Sequence, residues 1–212
     1  MAVTKNSALL IAAGEVPINV LKNILSDEKL NIAIDGGYLH CLKYDITPDI
    51  VIGDFDSLDS ALLADKNIQI FDESQQETDL VKAINWAISS KITNLDIIGV
   101  ESGRSDHILG TFAALAEIKQ ELTNLIDIKL HLYDFVVRYV PKQKSIKLKL
   151  EENTHLSLFC LSKSTISFKG VKWSLEEEEM YFSTQGIHNY SISNHIELFV
   201  HNGGPVLLFI KR

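Results

Sequence analysis

The stretch VIGDFDSLDS, residues 51–60, ends an apolar run in Gly53 and then presents Asp54 and Asp56 one residue apart, followed by Ser57. Two carboxylates at that spacing repel each other unless a cation sits between them. A hard divalent ion with oxygen ligands is the natural counter-ion. The same arrangement recurs along the chain. Asp35-Gly36-Gly37 follows NIAI, Asp72-Glu73 follows IQIF, and Gly103-Arg104-Ser105-Asp106-His107 closes a loop after LDII. Asp79 opens a helix-patterned stretch, with Lys82 one turn further on the same side. Mg2+ takes one or two protein carboxylates and completes its shell with water and phosphate oxygens. Glycines let backbone amides approach a ligand, and arginine makes planar paired contacts to phosphate. These residue types point to phosphoryl transfer, where the protein mainly positions groups and neutralises charge. The chain has no GxxxxGKS or GxxxxGKT, so it is not a P-loop enzyme. Asp54-Phe55-Asp56 is not the kinase DFG either, because no HRD-type loop accompanies it.

Taken singly, each residue has a plainer reading. Asp54 and Asp56 are turn formers, and Asp79 is a first-turn carboxylate favoured by the helix dipole. Arg104 is a surface arginine, and Asp106 and His107 are polar residues at a helix start. The functional reading depends on all of them sharing one edge, so the elements that carry them decide it.

From residue 7 to about 134, the apolar runs ALLIAAG, NIAIDGG, DIVIGD, IQIFD, LDIIGV and IKLHLYD alternate with helical patterns. Pro17 suits the first turn of one helix. In TDLVKAINWAISS, Leu80, Ala83, Ile84, Ala87 and Ile88 recur at helical spacing with Thr78 as cap. In SDHILGTFAALAEIKQEL, Ser105 is the expected cap and Ile108, Phe112, Leu115 and Ala116 the expected inner face. Continuous apolar strands between amphipathic helices predict a Rossmann-like α/β unit, residues 1–135, with a mostly parallel sheet and helices on both faces. Ligands of such sheets bind outside the carboxyl ends of the strands, where the acidic turns fall. Over residues 136–212, the runs SIKLKL, HLSLFCL, TISFKG, MYFST, YSIS, IELFVH and PVLLFI predict a small antiparallel β-sandwich or barrel. EEEE at 176–179 reads as a solvated turn rather than a metal site.

A net charge of −8 argues against a nucleic-acid partner. No apolar run approaches the roughly 20 residues that span a bilayer, and MAVTKNSALLIAAG reads as a first strand rather than a signal peptide. Cys41 and Cys160, without a CxxC, predict two free buried thiols and a cytoplasmic setting.

DGGYLHCLKYDITPDIVIGDFDSL, then ETDLVKAI, then IIGVESGRSDHILGTFAAL together resemble the thiamine pyrophosphokinase family, over most of residues 31–116 in the same order and spacing. GDFDS and GRxDH together are specific, although either alone would be weak. The resemblance implies transfer of a pyrophosphoryl group from ATP to thiamine, with Mg2+, giving thiamine diphosphate and AMP. It also implies a homodimer whose thiamine pocket draws on both subunits. On this resemblance Asp54, Asp56 and Asp79 would hold the metal and phosphates and serve catalysis together with Asp106. Asp79 or Asp106 would accept the hydroxyl proton. Asp35, Gly36, Gly37, Lys82, Arg104 and His107 would contact ATP. Gln75 falls where some members place a thiamine-contacting glutamine. In the C-terminal part, GVKWSL resembles the family's GLKW-type segment and SISN its S-x-SN element, which implies Trp173, Ser191, Ser193 and Asn194 as thiamine contacts. Trp173 suits a cationic thiazolium through cation–π attraction.

Two positions depart from the family pattern. Ser102 stands where a second glycine usually precedes Gly103-Arg104, and Gln76 stands where many bacterial members carry an Asp. Two rival readings follow: a pyrophosphokinase of the same fold for another small alcohol, including a pterin-like one, and a thiamine- or nucleotide-binding protein with weakened catalysis.

Overall fold

A computed structural model describes residues 5–53, 77–101, 103–118 and 120–212, with the backbone alone at 120–122. The chain divides into two compact units, Met1–Tyr133 and Asp134–Arg212.

Among its described residues the first unit is built on five parallel strands: β1 (Ser7–Ile11), β2 (Lys29–Ile34), β3 (Ile50–Ile52), β4 (Asn94–Ile98) and β5 (Asp127–His131), in the order β5-β4-β1-β2-β3. Ser7 lies opposite both Lys29 and Asn94, and Asn94 opposite Asp127, so the strands start level. Ala8, Leu9, Leu10 and Ile11 are all fully buried, which requires cover on both faces of β1. On one face Leu9, Ile11, Ala33, Val51 and Ile98 pack with Leu21 of α1 (Ile18–Ile24) and with Tyr38 and Cys41 of α2 (Gly37–Lys43). Helix α3 (Asp79–Ser89) packs against β2 and β3 and against α4 (Ser105–Glu117). A short 3-10 helix, Gln120–Leu125, leads into β5. The expected strand at IQIF lies outside the described residues.

Local sequence accounts for the helix ends. Pro17 occupies the cap position of α1, where its missing N–H costs nothing. Thr78 caps α3 by accepting the Val81 N–H at 3.4 Å. The inner face of α3 is Val81, Ala83, Ile84, Ala87 and Ile88, with Leu80 only partly covered. In α4 the cap position belongs to Arg104, and Ser105 is the first helical residue. Its buried residues are Thr111, Ala114 and Leu115, while Ala116 is exposed, so the inner face is narrower than the apolar pattern predicts.

The second unit is a sandwich of two antiparallel four-stranded layers. One layer runs β11 (Asn189–Tyr190), β8 (His155–Cys160), β13 (Val206–Lys211), β6 (Phe135–Val140). The other runs β10 (Leu175–Met180), β9 (Ser164–Lys169), β12 (His195–Asn202), β7 (Ser145–Lys149). Leu156, Leu158, Val206 and Leu208 from the first layer meet Ile166, Phe168, Leu198 and Val200 from the second.

Two expectations change here. EEEE at 176–179 is not a turn but the body of β10, an edge strand, and MYFST contributes only its Met180 to that strand. A bulge between Leu175 and Glu178, with Glu177 at φ 51°, removes the period-two pattern. The glutamates keep the exposed edge solvated. Strand β6 was not among the expected strands. Cys41 and Cys160 are both buried and free. Among the described residues no helix is long and apolar enough to cross a membrane.

Candidate active site

The carboxyl edge of the parallel sheet carries the described parts of the sequence motifs. Its strand order changes direction between β1 and β4, and in open α/β sheets the ligand crevice lies at such a switch point. The loops leaving these two strands are bonded to each other. Ala12 N–H donates to Ile98 O at 2.9 Å, Gly14 N–H to Gly99 O at 2.6 Å, and Glu15 N–H to Glu101 O. A Cβ on Gly14 would collide with the Glu101 and Gly99 carbonyls, so only glycine permits this approach. His40 of α2 joins the same loop by donating from Nε2 to Gly14 O at 2.7 Å. Gly14 and His40 were not among the expected site residues. Gly14 was legible as the glycine ending ALLIAAG, but His40 gave no spacing signal.

Next along the edge, Asp35 ends β2 in the left-handed region at φ 44°, a conformation that Asp tolerates better than most residues. Its N–H donates to Ile52 O at 2.8 Å, and its carbonyl accepts the Tyr38 N–H at 3.0 Å to open α2. Gly37 lies so close to Ile11 O that a side chain there is excluded. Gly53 packs on Asp35: a Cβ built on it would lie 3.1 Å from the Asp35 Cα and Cβ. The backbone that leads into Asp54 and Asp56 therefore leaves β3 directly beside Asp35. Asp54, Asp56, Gln75, Gln76 and Ser102 themselves lie outside the described residues.

Asp79 is the first residue of α3. A short turn joins that helix to the start of β4, so its last residue, Ser89, is at the amino edge. Eleven helical residues rise about 16 Å, close to the roughly 16 Å of five strand residues, which returns Asp79 to the carboxyl edge. Its carboxylate pairs with Lys82 Nζ at 3.1 Å, and the Lys82 side chain is only 13% exposed. Beyond β4, Arg104 grips Asp106 with two bonds, Nε to Oδ1 at 3.2 Å and Nη2 to Oδ2 at 2.8 Å. The Arg104 hydrogen bond holds the Asp106 carboxyl below the usual carboxylate range. Asp106 Oδ1 also accepts the His107 N–H at 3.1 Å. All three side chains are exposed. Direct contacts thus form three groups on one edge: Asp35 with Gly53, Asp79 with Lys82, and Arg104 with Asp106 and His107. Among the described residues no group of three His, Cys, Asp or Glu is gathered tightly enough to hold a metal.

Beneath this edge lies a buried ion network that no sequence motif marks. Asp96, in the middle of β4, accepts from Lys29 Nζ at 2.7 Å and from His131 Nε2 at 2.7 Å. Burial works to raise the Asp96 pKa, but the bonds from His131 and Lys29 outweigh it and bring the value down to about 2. The available signal was a charge inside the apolar run LDII, since a mid-strand carboxylate needs partners.

In the second unit, Trp173 is 57% exposed and meets Tyr190 edge-to-face with ring centroids 5.8 Å apart. The Asn189 side chain holds the Trp173 backbone from both sides, accepting its N–H at 3.1 Å and donating to its carbonyl at 2.9 Å. Ser191 is fully buried; its hydroxyl donates to Glu151 O at 2.7 Å and accepts the Thr154 N–H at 3.0 Å. Ser193 bonds to the backbone of His195, and Asn194 is exposed, with its carbonyl accepting the Leu150 N–H at 3.0 Å. Asn189 and Tyr190 are the additional residues around Trp173.

Fold and site define a protein with an α/β unit, whose carboxyl edge is lined by glycine and acidic residues, followed by a two-layer β unit. Comparison with known proteins places it further. The family model for the thiamin pyrophosphokinase catalytic domain matches residues 21–126, and that for the thiamin pyrophosphokinase vitamin B1 binding domain matches residues 143–202. The chain belongs to the thiamin pyrophosphokinase family. It is 27% identical over 177 residues to thiamin pyrophosphokinase 1 of Caenorhabditis elegans, covering 77% of this chain and 72% of that one. It is 28% identical over 136 residues to thiamine pyrophosphokinase of Bacillus subtilis, covering 59% and 63% respectively. The crystal structure of thiamine pyrophosphokinase from Bacillus subtilis superposes with a TM-score of 0.76 at 24% identity, over 97% of this chain and 98% of that one, and shares its fold.

Proposed function

We propose that this chain is a thiamine diphosphokinase that uses ATP. The thiamine hydroxyl oxygen attacks the β-phosphorus of ATP, the bond from that phosphorus to the bridging α,β-oxygen breaks, and AMP leaves with that oxygen. The hydroxyl proton is released, and thiamine diphosphate is the other product. The observation that carries this reading is the match of both family domains, in order, to the two units that the fold defines.

The residues present fit a magnesium ion. The donors are carboxylate oxygens, suited to a hard cation, and Gly53, where a Cβ would crowd Asp35 at 3.1 Å, keeps that approach free of a side chain. Asp54, Asp56 and Asp79 would hold the ion, which supplies charge neutralisation on the triphosphate when bound. Asp35, Gly36, Gly37, Lys82, Arg104 and His107 bind and orient the nucleotide. Asp106, kept acidic by Arg104, is a poor proton acceptor while so paired and fixes the guanidinium toward phosphate. Gln75, Trp173, Ser193 and Asn194 are the thiamine contacts. Ser191 supports them from within, through its bonds to Glu151 and Thr154. The exposed Trp173 and Ile192 support a homodimer in which a second copy covers this surface. The two free cysteines support a reducing, cytoplasmic setting.

The test is product analysis with purified protein, ATP, Mg2+ and thiamine. AMP with thiamine diphosphate is the expected result. ADP with thiamine monophosphate would replace the reading by single phosphoryl transfer, and binding without turnover would replace it by an inert binding protein.

A further inference from the structure

Tyr133 lies two residues beyond the end of β5, on the carboxyl edge, with 52% of its surface exposed. Among the described residues of the α/β unit, the other exposed large apolar side chains are leucines. The strand end that carries it is held at two points. Glu101 Oε2 accepts the Tyr133 N–H at 2.6 Å, and two residues earlier His131 is locked to Asp96 at 2.7 Å. Glu101 is itself bridged through its backbone to Glu15 in the loop after β1. The strand end is therefore rigid while the ring faces solvent, which is how a stacking surface avoids an ordering cost when a flat ligand lands on it.

The order of features along the edge gives the ring a partner. From β5 to β3 the edge carries Tyr133, then the loop of Glu101 and Arg104, then Gly14, then Asp35, then Gly53. Anion-binding and metal-binding chemistry occupies the β4 to β3 side. Arg104 follows Glu101 by three positions, a reach of up to about 10 Å in extended chain, comparable to the span from a nucleotide's phosphates to its base. We infer that Tyr133 is the platform on which the nucleobase of the triphosphate stacks, with Glu101 as its positioning residue. This rests on the nucleotide being bound at the same edge, as proposed above.

The experiment compares the wild type with Tyr133→Ala, Tyr133→Phe, Glu101→Ala and Glu101→Gln, in steady-state kinetics and in calorimetric titration with ATP. Circular dichroism confirms that each variant is folded. Tyr133→Ala should raise the KM and Kd for ATP about tenfold, leave kcat and the thiamine KM within about twofold, and reduce discrimination between purine and pyrimidine triphosphates. Tyr133→Phe should behave as wild type. Glu101→Ala should shift ATP binding in the same direction, and Glu101→Gln, which keeps an acceptor, should restore it. An unchanged Kd for ATP in folded Tyr133→Ala overturns the assignment even if the wild type makes thiamine diphosphate. Because calorimetry reads ATP without turnover, failure of the proposed reaction alone leaves this comparison decisive, whereas a wild type that does not bind ATP overturns both.

Discussion

Individual residues divide into those that carry a motif and those that hold the motif in place. Asp35, Arg104 and Asp106 were legible because glycine-flanked acids and the GRxDH spacing are visible in one line of text. Asp96 was not, because a single letter inside LDII reads as part of a strand and its partners Lys29 and His131 come from β2 and β5. Nor was the fate of Ser191 legible, since sequence does not say whether a hydroxyl faces a ligand or a neighbouring carbonyl. The Asp96 network yields a pH prediction. Its folded-state pKa of about 2 lies below the ordinary 3.8, so its stabilisation is present above about pH 4 and drains away as the pH falls toward 2. The amount is about 2 kcal/mol. In Asp96→Asn, denaturant unfolding should show a loss of about 3 kcal/mol at pH 7, from leaving the Lys29 ammonium and the His131 ring without their carboxylate. The same variant should show a shallower decline between pH 5 and pH 2 than the wild type. Parallel stability curves for the two proteins would mean that Asp96 is not coupled to that titration.

At the scale of elements, the parallel strands were legible because burial on both faces makes them continuous apolar runs. The sandwich strands were legible where one face is wet and the pattern alternates. What escaped was β10, whose edge position replaces apolar residues with glutamates, and β6, whose FVVRYV falls against the boundary between units. Helix α3 carries the paired Asp79 and Lys82 in its first turn. Its start depends on the Thr78 hydroxyl meeting the Val81 N–H. Thr78→Ala should therefore cost about 1 kcal/mol and lower the Tm by about 3 °C in a thermal melt. It should also raise the KM for ATP as the first turn frays. A melt and KM indistinguishable from wild type would show that the cap does not position Asp79.

Across the whole molecule, the texture of the sequence changes near residue 135, and the two family domains fall one on each compact unit. The first supplies an acidic, glycine-lined edge, and the second an exposed tryptophan held by Asn189. On the proposed function, the carboxylates of that edge are tolerated because they handle a metal-bound triphosphate tail. Replacing Asp56 by Asn removes one charge from the acidic pair while keeping its size. The most direct measurement is the thiamine diphosphate turnover of Asp56→Asn beside the wild type, at saturating ATP, Mg2+ and thiamine, with matched circular dichroism. The expected result is a fall of roughly a hundredfold or more in a folded protein; turnover within twofold of the wild type would contradict the claim.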